Sequence, residues 1–264
     1  MRKAVFFDID GTLIDCLNGM NDISNEVKKA IRELQSQGSY AFIASGRPYA
    51  FLSEEILNFG FDGFVLTNGA EIIMDNKVVY SGEFDKEFVK DITDEFDSLG
   101  IQYILEGEHY SYIKKDHKDM WDFYMNIGIS PKLLSSDFNV DELRVLKAET
   151  LCSNKEIEDK CIAIMDKHPQ YGYFHSIGAN TFEIYNKENT KASAIMRLLE
   201  YLDISRENSF AFGDGTNDIE MLSEVGCGIA MGNASDYVKS FAHKVTDTVY
   251  EDGAAKGIRK YILD

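Results

Sequence analysis

Short apolar runs alternate with amphipathic helix patterns through residues 1–70, and this alternation restricts the fold more than any other feature of the chain. The predicted elements are strands at Ala4–Phe7, Tyr40–Ala44 and 64–66, a helix between Ser24 and Gly38, and a helix at 51–58. The run Ala4–Phe7 is apolar without interruption, which is typical of a strand buried on both faces of a parallel sheet. Strands and helices that alternate in this way predict right-handed crossovers and a doubly wound α/β sheet.

The pattern changes between residues 71 and 185. Asp75-Asn76 is a two-residue turn signal between predicted strands at 71–74 and 77–80. A helix follows that stops at Gly100 and carries one apolar stripe, formed by Phe84, Phe88, Ile92, Phe96 and Leu99. Further strands are predicted at 102–105, 110–114, 144–151, 171–176 and 181–185, with helices at 120–127 and 155–167. This mixture predicts a separate α+β domain.

The strand and helix alternation resumes at Thr190. Strands are predicted at 209–212, 228–231 and 244–246, among helices at 190–202, 218–225 and the end of the chain. The simplest architecture is a Rossmann-like core with a doubly wound parallel sheet, formed by residues 1–82 and 184–264. An α+β domain of residues 83–183 is inserted into it.

The composition excludes several classes of function. The 45 Asp and Glu residues outnumber the 27 Lys and Arg residues, which gives a formal net charge of −18 that repels nucleic acids and anionic membranes. No apolar run approaches the ~20 residues that cross a bilayer. The four cysteines form no C-x-x-C pair, as is typical of a reducing compartment. We therefore expect a cytoplasmic protein without nucleic-acid or membrane partners.

Two aspartates follow the first predicted strand, at the sheet edge where open α/β sheets bind ligands. A buried carboxylate such as Asp8 is costly unless a cation or hydrogen bonds compensate it. Asp10 follows two residues later, and Gly11 permits a tight turn. A turn-capping role explains a single aspartate well, but the whole run Asp8-Ile-Asp10-Gly-Thr-Leu favours a functional site.

Two further signals are weaker when they are taken alone. Ser45-Gly46-Arg47 follows the second strand, and a hydroxyl with backbone N–H groups suits a phosphate oxygen, although the same residues also fit an ordinary turn. Lys191 begins a helix, where the macrodipole disfavours a cation. Taken alone, Lys191 is expected to face solvent.

The loop after the strand at 209–212 carries the last polar feature. It reads Gly213-Asp214-Gly215-Thr-Asn217-Asp218. The two glycines allow close approach of the backbone, and the acidic and amide side chains offer the hard oxygen ligands that Mg²⁺ prefers. The ligand spacing excludes an EF-hand.

Taken together, these motifs resemble those of the haloacid dehalogenase superfamily, and within it the Cof-type phosphatases of subclass IIB, which have an α+β cap. The resemblance covers essentially the whole chain. It includes the segments Thr67-Asn68-Gly69-Ala70, Gly228-Ile-Ala-Met-Gly-Asn-Ala234 and Glu251-Asp252-Gly253. The chain departs from the family at Thr190-Lys191-Ala192, where Ser-Lys-Gly is frequent, and at Gly215, where Ser is common.

The resemblance implies a Mg²⁺-dependent phosphatase that acts on a small phosphorylated metabolite. Asp8 would be the nucleophile that forms an aspartyl-phosphate, and Asp10 the general acid and then the general base. The implied phosphate-binding residues are Ser45, Gly46, Lys191 and Asn217; the implied Mg²⁺ ligands are Asp8, the Asp10 carbonyl and Asp214, with Asp218 behind them. Arg47 is a candidate contact for an anionic part of the substrate.

Two alternatives stay open at this stage. A phosphomutase would use the same nucleophile and return the phosphoryl group to the substrate. A receiver-like phosphorylation switch also clusters Asp, a hydroxyl and Lys on a doubly wound sheet, but such modules are shorter and lack the insert. Residues 83–183 hold 21 acidic and 11 basic side chains, a net charge of −10, so a lid formed by them favours a neutral or cationic leaving group. We expect a monomer or a weak homo-oligomer.

Overall fold

The computed structural model describes residues 2–176 and 180–263, and the chain divides into two compact units. Unit 1 consists of Met1–Gly46, Ser53–Val79 and Thr190–Asp264. Unit 2 consists of Arg47–Leu52 and Tyr80–Asn189. The second unit thus contains a short segment from the early part of the chain as well as the long insert. The division into catalytic core and cap at 82/83 and 183/184 stays a prediction.

The described residues form fourteen strands and nine α-helices. The strands are β1 (Ala4–Phe7), β2 (Tyr40–Ala44), β3 (Gly63–Leu66), β4 (Glu71–Met74), β5 (Lys77–Ser81), β6 (Tyr103–Glu106), β7 (Ser111–Ile113), β8 (Leu134–Ser135), β9 (Lys147–Leu151), β10 (Tyr171–Ser176), β11 (Thr181–Asn186), β12 (Ser209–Gly213), β13 (Cys227–Ala230) and β14 (Lys244–Val245). The helices are α1 (Asn25–Ser36), α2 (Glu54–Asn58), α3 (Lys86–Leu99), α4 (Lys118–Asn126), α5 (Lys155–Met165), α6 (Lys191–Tyr201), α7 (Ile219–Glu224), α8 (Asp236–Lys239) and α9 (Gly253–Tyr261).

The larger sheet has the strand order β14-β13-β12-β1-β2-β3-β4-β5. It is parallel from β14 to β3, and β4 then pairs antiparallel with β3. The turn between β4 and β5 places Asp75 and Asn76 at positive φ (50° and 58°), as a two-residue hairpin of this type requires. The predicted α/β fold with a doubly wound core is confirmed, and the hairpin extends its sheet in the antiparallel sense.

Strand β1 lies between β2 and β12, so both of its edges are paired. All four of its residues are fully buried. Phe7 stacks on Phe212 with ring centroids 5.1 Å apart, and Phe6 stacks on Phe42 at 5.2 Å. Burial of these aromatic rings fixes the register of the strand, and the residue that follows it is held at the carboxyl edge of the sheet.

Helix boundaries follow the capping residues. Ser24 accepts a hydrogen bond from the backbone N–H of Val27 and begins α1 as predicted. The predicted helix at 51–58 is wrong at its start, because Ser53 caps α2 through the N–H of Ile56 and Tyr49–Phe51 forms a separate 3₁₀ turn. The side-chain cap therefore determines where the helix begins.

Unit 2 is built on a second sheet with the order β10-β11-β9-β6-β7-β8. Its pairs are antiparallel except for β7 with β8. Helices α3 and α5 pack on one face of this sheet through a buried cluster that includes Phe96, Cys161 and Phe182. Helix α4 packs on the other face through Met120 and Tyr124. The predicted apolar stripe of α3 is wrong at its ends.

The two ends of that stripe differ from the prediction for separate reasons. Phe84 is buried in the cluster but precedes α3, which begins at Lys86. Leu99 is exposed at the end of the helix, beside the left-handed Gly100. The 3.6-residue period therefore identified the helix correctly but not its boundaries, which are the least reliable part of such a prediction.

We expect Gly228→Ala to destabilise the protein by about 3 kcal/mol, because a Cβ on Gly228 in β13 would overlap the backbone carbonyl of Leu222 in α7. The matched control is Gly38→Ala. Gly38 has φ +82°, and its added Cβ would meet open space, so only the left-handed backbone conformation costs energy, about 1 kcal/mol. Urea-induced unfolding measures both variants. Equal losses would contradict the close approach of β13 to α7.

Candidate active site

Asp8 directly follows β1 and is buried at the carboxyl edge of the larger sheet. Its backbone N–H donates to the carbonyl of Phe212, 3.0 Å away, so the main chain continues the β1–β12 ladder up to this residue. Its Oδ1 accepts a hydrogen bond of 2.6 Å from Nζ of Lys191. Burial raises the pKa of Asp8 well above its usual range, and Asp218 and Asp10 add to that effect while Lys191 opposes it.

Lys191 is the first residue of α6 and is 1% exposed, so the expectation that it faces solvent is wrong. Its Nζ donates to Oδ1 of Asp8 (2.6 Å) and to Oδ1 of Asp218 (2.7 Å). Burial acts to lower the pKa of Lys191, but the two carboxylates outweigh burial and raise the pKa above its usual value. These ion pairs also offset the unfavourable end of the helix dipole.

The departure at Thr190 leaves the start of α6 well formed. The Thr190 side chain accepts from the backbone N–H of Ser193 (3.1 Å), and the Ser193 hydroxyl accepts from the N–H of Thr190 (3.0 Å). This reciprocal pair is a capping box. It positions Lys191 at the sheet edge without the Ser-Lys-Gly sequence that is frequent in the family.

Asp218 holds the loop after β12 in place. It is fully buried, and its Oδ2 accepts hydrogen bonds of 2.9 Å from the backbone N–H groups of Asp214 and Gly215. Its Oδ1 accepts from Lys191. A Cβ on Gly213 would lie 2.6 Å from atoms of the Asp218 side chain, so glycine is needed for this close approach. Asp218 thus links the loop to Lys191, and each of its carboxylate oxygens accepts at least one hydrogen bond.

Asp214 lies opposite the turn that follows Asp8. Its Oδ1 is 3.4 Å from the Thr12 hydroxyl, and its Oδ2 accepts from Nδ2 of Asn233 (3.1 Å). Gly11 has φ +80°, and a Cβ there would overlap the Asp214 carboxylate. Burial, with a contribution from Asp218 and against the opposing effect of Lys191, raises the pKa of Asp214 to about 6.

Three carboxylates therefore share this edge of the sheet with one ammonium group. Asp8, Asp214 and Asp218 each offer an oxygen atom within 4.8 Å of the others. Hard oxygen ligands at this density fit a divalent ion such as Mg²⁺. Burial raises the pKa values of both Asp8 and Asp214. Asp218, the third carboxylate, differs from the predicted third ligand, the Asp10 carbonyl, and its oxygens already accept from Lys191 and the loop.

Asp10 lies in the turn after β1 and is exposed. Its negative charge contributes to the raised pKa values of both Asp8 and Asp214, which shows that its carboxylate lies near them. A side chain that is open to solvent and next to the buried aspartates is accessible to a leaving group or to water.

Ser45 and Gly46 reach the same sheet edge at the end of β2. Ser45 is buried, its N–H donates to the carbonyl of Val65 (2.8 Å), and its carbonyl accepts from the N–H of Asn68 (3.1 Å). A Cβ on Gly46 would lie 2.9 Å from Oδ1 of Asn68. The exposed Asn217 donates from Nδ2 to that same Oδ1 at 3.5 Å. Asn68 thus links three of the predicted phosphate-binding positions.

Sequence reasoning assigned no role to Asn68 or Asn233. Asn68 and its neighbour Thr67 have φ of 53° and 52°, a left-handed pair that is uncommon outside glycine and is found at functional sites. Asn233 donates to the Gly11 carbonyl (2.8 Å) and to Asp214, and accepts from the N–H of Val249 (2.9 Å). The one sequence feature that indicated these two residues is their position, since each asparagine follows the carboxyl end of a core strand.

Arg47 belongs to unit 2, and its Nη1 donates to the carbonyl of Phe51, 3.3 Å away. Ser45, Gly46, Lys191 and the five acidic or amide residues of the predicted site belong to unit 1. A role for Arg47 in binding an anionic part of a ligand stays a prediction.

The chain is similar in sequence to known phosphatases. The model of the haloacid dehalogenase-like hydrolase family matches residues 5–258. The 5-amino-6-(5-phospho-D-ribitylamino)uracil phosphatase YcsE of Bacillus subtilis (strain 168) is 32% identical over 272 residues, which cover 99% of this chain and 96% of that protein. YitU of the same organism carries the same description and is 27% identical, with 97% and 96% covered.

Solved structures share the whole fold. A hypothetical protein from Geobacillus kaustophilus HTA426 superimposes with a TM-score of 0.88 at 29% identity, with 100% of both chains covered. The HAD subclass IIB sugar phosphatase BT4131 gives a TM-score of 0.81 at 26% identity and covers 99% of this chain and 100% of its own. Within the part of the chain that the structure describes, every helix is too short or too polar to cross a membrane.

We expect Lys191→Met to lower the free energy of unfolding by about 3–5 kcal/mol in EDTA at pH 7, because it leaves Asp8 and Asp218 buried without their cation. The loss is expected to shrink at pH 5, where carboxyl groups with raised pKa values, such as Asp214 at about 6, take up protons. Urea-induced unfolding at the two pH values measures it.

The control for this variant is Lys256→Met, which removes an exposed ion pair with Asp247. Exposed pairs contribute about 0–1 kcal/mol, so a small and pH-independent change is expected. A loss for Lys191→Met no larger than that of the control would contradict the central position of the Lys191 ammonium.

Proposed function

Because this chain belongs to the haloacid dehalogenase-like hydrolases, we propose that it is a phosphatase that hydrolyses a small phosphorylated metabolite with Mg²⁺, through a phosphoryl group carried by Asp8. The observation that carries the proposal is the placement of Asp8. Its carboxylate lies at the end of the central strand, 2.6 Å from the Lys191 ammonium and close to Asp214 and the exposed Asp10.

In the first half-reaction, an Asp8 oxygen attacks phosphorus and the bond from phosphorus to the leaving alkoxide breaks. Asp10 supplies the proton that converts the leaving group to an alcohol. In the second half-reaction, Asp10 takes a proton from water, which attacks the aspartyl-phosphate and releases inorganic phosphate and the Asp8 carboxylate. A carboxylate nucleophile divides one difficult displacement into two easier ones.

The phosphoryl oxygens require donors and positive charge, because phosphoryl transfer depends mainly on positioning and electrostatic stabilisation. Lys191 supplies the charge beside the attacking oxygen. Ser45 and Asn217 supply a hydroxyl and an amide at the same sheet edge, and Gly46 offers a backbone N–H where Asn68 leaves no space for a side chain. Asp218 positions Lys191 and the loop that carries Asp214.

Asp8, the carbonyl of Asp10 and Asp214 would hold the magnesium ion. When bound, Mg²⁺ supplies charge neutralisation that offsets the repulsion between a carboxylate and an anionic phosphate. Asn233 orients Asp214 for this role, since its amide also holds the Gly11 carbonyl and the backbone N–H of Val249. Such outer partners commonly fix the direction of a metal ligand.

Two observations guide the choice of substrate. The YcsE and YitU relatives are described as phosphatases for 5-amino-6-(5-phospho-D-ribitylamino)uracil, and BT4131 as a sugar phosphatase. The insert is strongly acidic, with a net charge of −10 over residues 83–183 (21 acidic and 11 basic), which favours a phosphate ester without a second anionic group. We propose the phosphorylated ribitylamino-uracil first and neutral sugar phosphates second.

We expect Asp8→Asn to reduce turnover of para-nitrophenyl phosphate by roughly 10³-fold or more, because the amide cannot form the phosphoenzyme. Rapid-quench mass spectrometry should find a phosphoryl group on Asp8 in the parent and none in the variant. The control Asp236→Asn changes an exposed aspartate at the start of α8 and should keep full activity.

Three results would contradict this mechanism. Retained activity in Asp8→Asn would exclude the covalent step. A phosphoryl group that stayed on Asp8 for minutes would indicate a phosphorylation switch. Conversion of a hexose phosphate into its isomer, with no release of inorganic phosphate, would indicate a phosphomutase.

The metal site makes a prediction about stability as well as activity. In EDTA at pH 7, we expect Asp214→Asn to be more stable than the parent by about 1–2 kcal/mol, because it removes one of three close carboxylates. Folding raises the pKa of Asp214 from 3.8 to about 6. The ionised Asp214 carboxylate therefore lowers the free energy of unfolding of the parent as the pH rises through this range, and this loss is absent at pH 4. Urea-induced unfolding at pH 4 and pH 7 checks the sign.

Added Mg²⁺ should reverse this order. A ligand that binds the folded state stabilises it, so saturating Mg²⁺ should raise the free energy of unfolding of the parent much more than that of Asp214→Asn. Full phosphatase activity in EDTA, or equal stabilisation of both proteins by Mg²⁺, would contradict the role assigned to Asp214.

A further inference from the structure

The residues between β3 and β4, here called the Thr67–Gly69 segment, take an uncommon backbone conformation. Thr67, Asn68 and Gly69 have φ of 52°, 53° and 98°. This left-handed region is unfavourable for residues with a Cβ, and most of all for a β-branched residue such as Thr67. The Thr67 hydroxyl is also buried and forms no hydrogen bond within the described residues. The segment therefore lowers the stability of unit 1, and residues in such conformations are concentrated at functional sites.

The segment contacts three parts of unit 1 that carry predicted phosphate-binding residues. The backbone N–H of Asn68 donates to the carbonyl of Ser45 at the end of β2, 3.1 Å away. Gly69 lies against the residue before α6, since a Cβ on Gly69 would overlap the carbonyl oxygen of Thr190. Oδ1 of Asn68 accepts from Nδ2 of Asn217, in the loop after β12, at 3.5 Å. The end of β2, the start of α6 and this loop therefore meet at one segment.

The Asn68 side chain lies between Gly46 and Asn217. Its Oδ1 and Nδ2 are 2.9 Å and 3.4 Å from the position of a Cβ on Gly46. Asn217 is exposed, and within the described residues its amide forms a hydrogen bond with Asn68 alone. An exposed side chain keeps its rotamer freedom unless a partner restricts it. Asn68 therefore restricts the Asn217 amide and lies directly beside the Gly46 backbone.

The amide nitrogen of Asn68 keeps its donors free. A carboxamide nitrogen carries two N–H groups, and neither of those on Nδ2 donates to another described residue. Glycine would adopt the same backbone conformation at lower cost, so closing the turn between β3 and β4 does not require this side chain. A free amide donor beside the backbone N–H of Gly46 suits an anion.

We propose that Asn68 is a further phosphate-binding residue of this protein. Its Oδ1 fixes the amide of Asn217, and its Nδ2 donates to a phosphoryl oxygen beside the backbone N–H of Gly46. This assignment rests on the proposed function, because it takes the phosphate site formed by Ser45, Gly46 and Asn217 as its premise. The left-handed conformation lowers stability, but it places the Asn68 side chain where a bound phosphate reaches it.

The first test variant is Asn68→Gly, which removes the side chain and keeps the left-handed backbone. We expect KM for para-nitrophenyl phosphate to rise about tenfold with little change in kcat, since a donor to the phosphoryl group is lost. Calorimetric titration with inorganic phosphate in Mg²⁺ should show a loss of affinity of about tenfold. The midpoint of thermal unfolding should stay within about 2 °C of that of the parent, because relief of strain opposes the greater freedom of the unfolded chain.

The matched control is Asn76→Gly. Asn76 is also an asparagine in the left-handed conformation, with φ of 58°, but it is exposed in the turn between β4 and β5. This variant should keep the KM and the phosphate affinity of the parent, and its unfolding midpoint should change as little as that of Asn68→Gly. The pair therefore separates the loss of the Asn68 side chain from the effect of glycine in a left-handed turn.

Two further variants test the two roles of the amide separately. Asn68→Asp keeps the shape and an acceptor for Asn217 but replaces the donor with a charged oxygen, so phosphate affinity should fall at least as far as in Asn68→Gly; the affinity of the parent would exclude the donor role. Asn68→Gly combined with Asn217→Ala should weaken phosphate binding by less than the product of the two separate losses, because linked residues are not additive. A loss equal to that product would exclude the link.

The outcomes separate this inference from the proposed function. If the parent hydrolyses para-nitrophenyl phosphate but Asn68→Gly has its KM and phosphate affinity, the inference is wrong and the proposed function stands. If Asn68→Gly loses affinity only together with an unfolding midpoint far below that of Asn76→Gly, Asn68 is a structural residue and the inference is also wrong. If the parent binds inorganic phosphate without hydrolysing esters, the proposed function is wrong and the titration alone decides the inference. A parent that does neither contradicts both.

Discussion

The buried ammonium of Lys191 is the interaction on which the site in unit 1 depends. It joins Asp8 and Asp218, and Asp8 is 183 residues away from it in the sequence. Through these two bonds the central strand, the start of α6 and the loop after β12 are held at one edge of the sheet. Three carboxylates at this spacing repel one another, and a single cation does not balance them. Like charges are therefore concentrated at the carboxyl edge of the sheet, where open α/β sheets bind ligands.

Much of the fold was predictable because its signals are local. The apolar run of β1, the Asp75-Asn76 turn and the Ser24 cap each act within a few residues, and the structure has all three as predicted. The motifs also indicated the family, and this is confirmed by the family model and by the subclass IIB structure. The errors arose where two local signals competed, as at α2, where the cap at Ser53 overrode the apolar pattern that began at residue 51.

The sequence indicated a site residue only where burial of its side chain is unfavourable without a compensating partner. An aspartate at the end of a fully apolar strand requires compensation, so Asp8 was identifiable without any partner. Lys191 and Asn233 are ordinary residues in their own segments. Their importance comes from partners far along the chain, since Asn233 contacts the Gly11 carbonyl 222 residues away. Such long-range contacts leave no signal in the local sequence, and for this reason Lys191 was expected to face solvent.

Each of the two units holds one buried lysine among several carboxylates. In unit 1 the ammonium of Lys191 pairs with Asp8 and Asp218, and Asp214 offers an oxygen within 4.8 Å of theirs. In unit 2 the ammonium of Lys147 pairs with Glu106, Glu149 and Glu183. In both places the carboxylates outnumber the cation, and burial raises the pKa values of Asp8 and Glu106 well above their usual ranges. Removal of either lysine would therefore leave buried carboxylates without their cation, which is strongly destabilising.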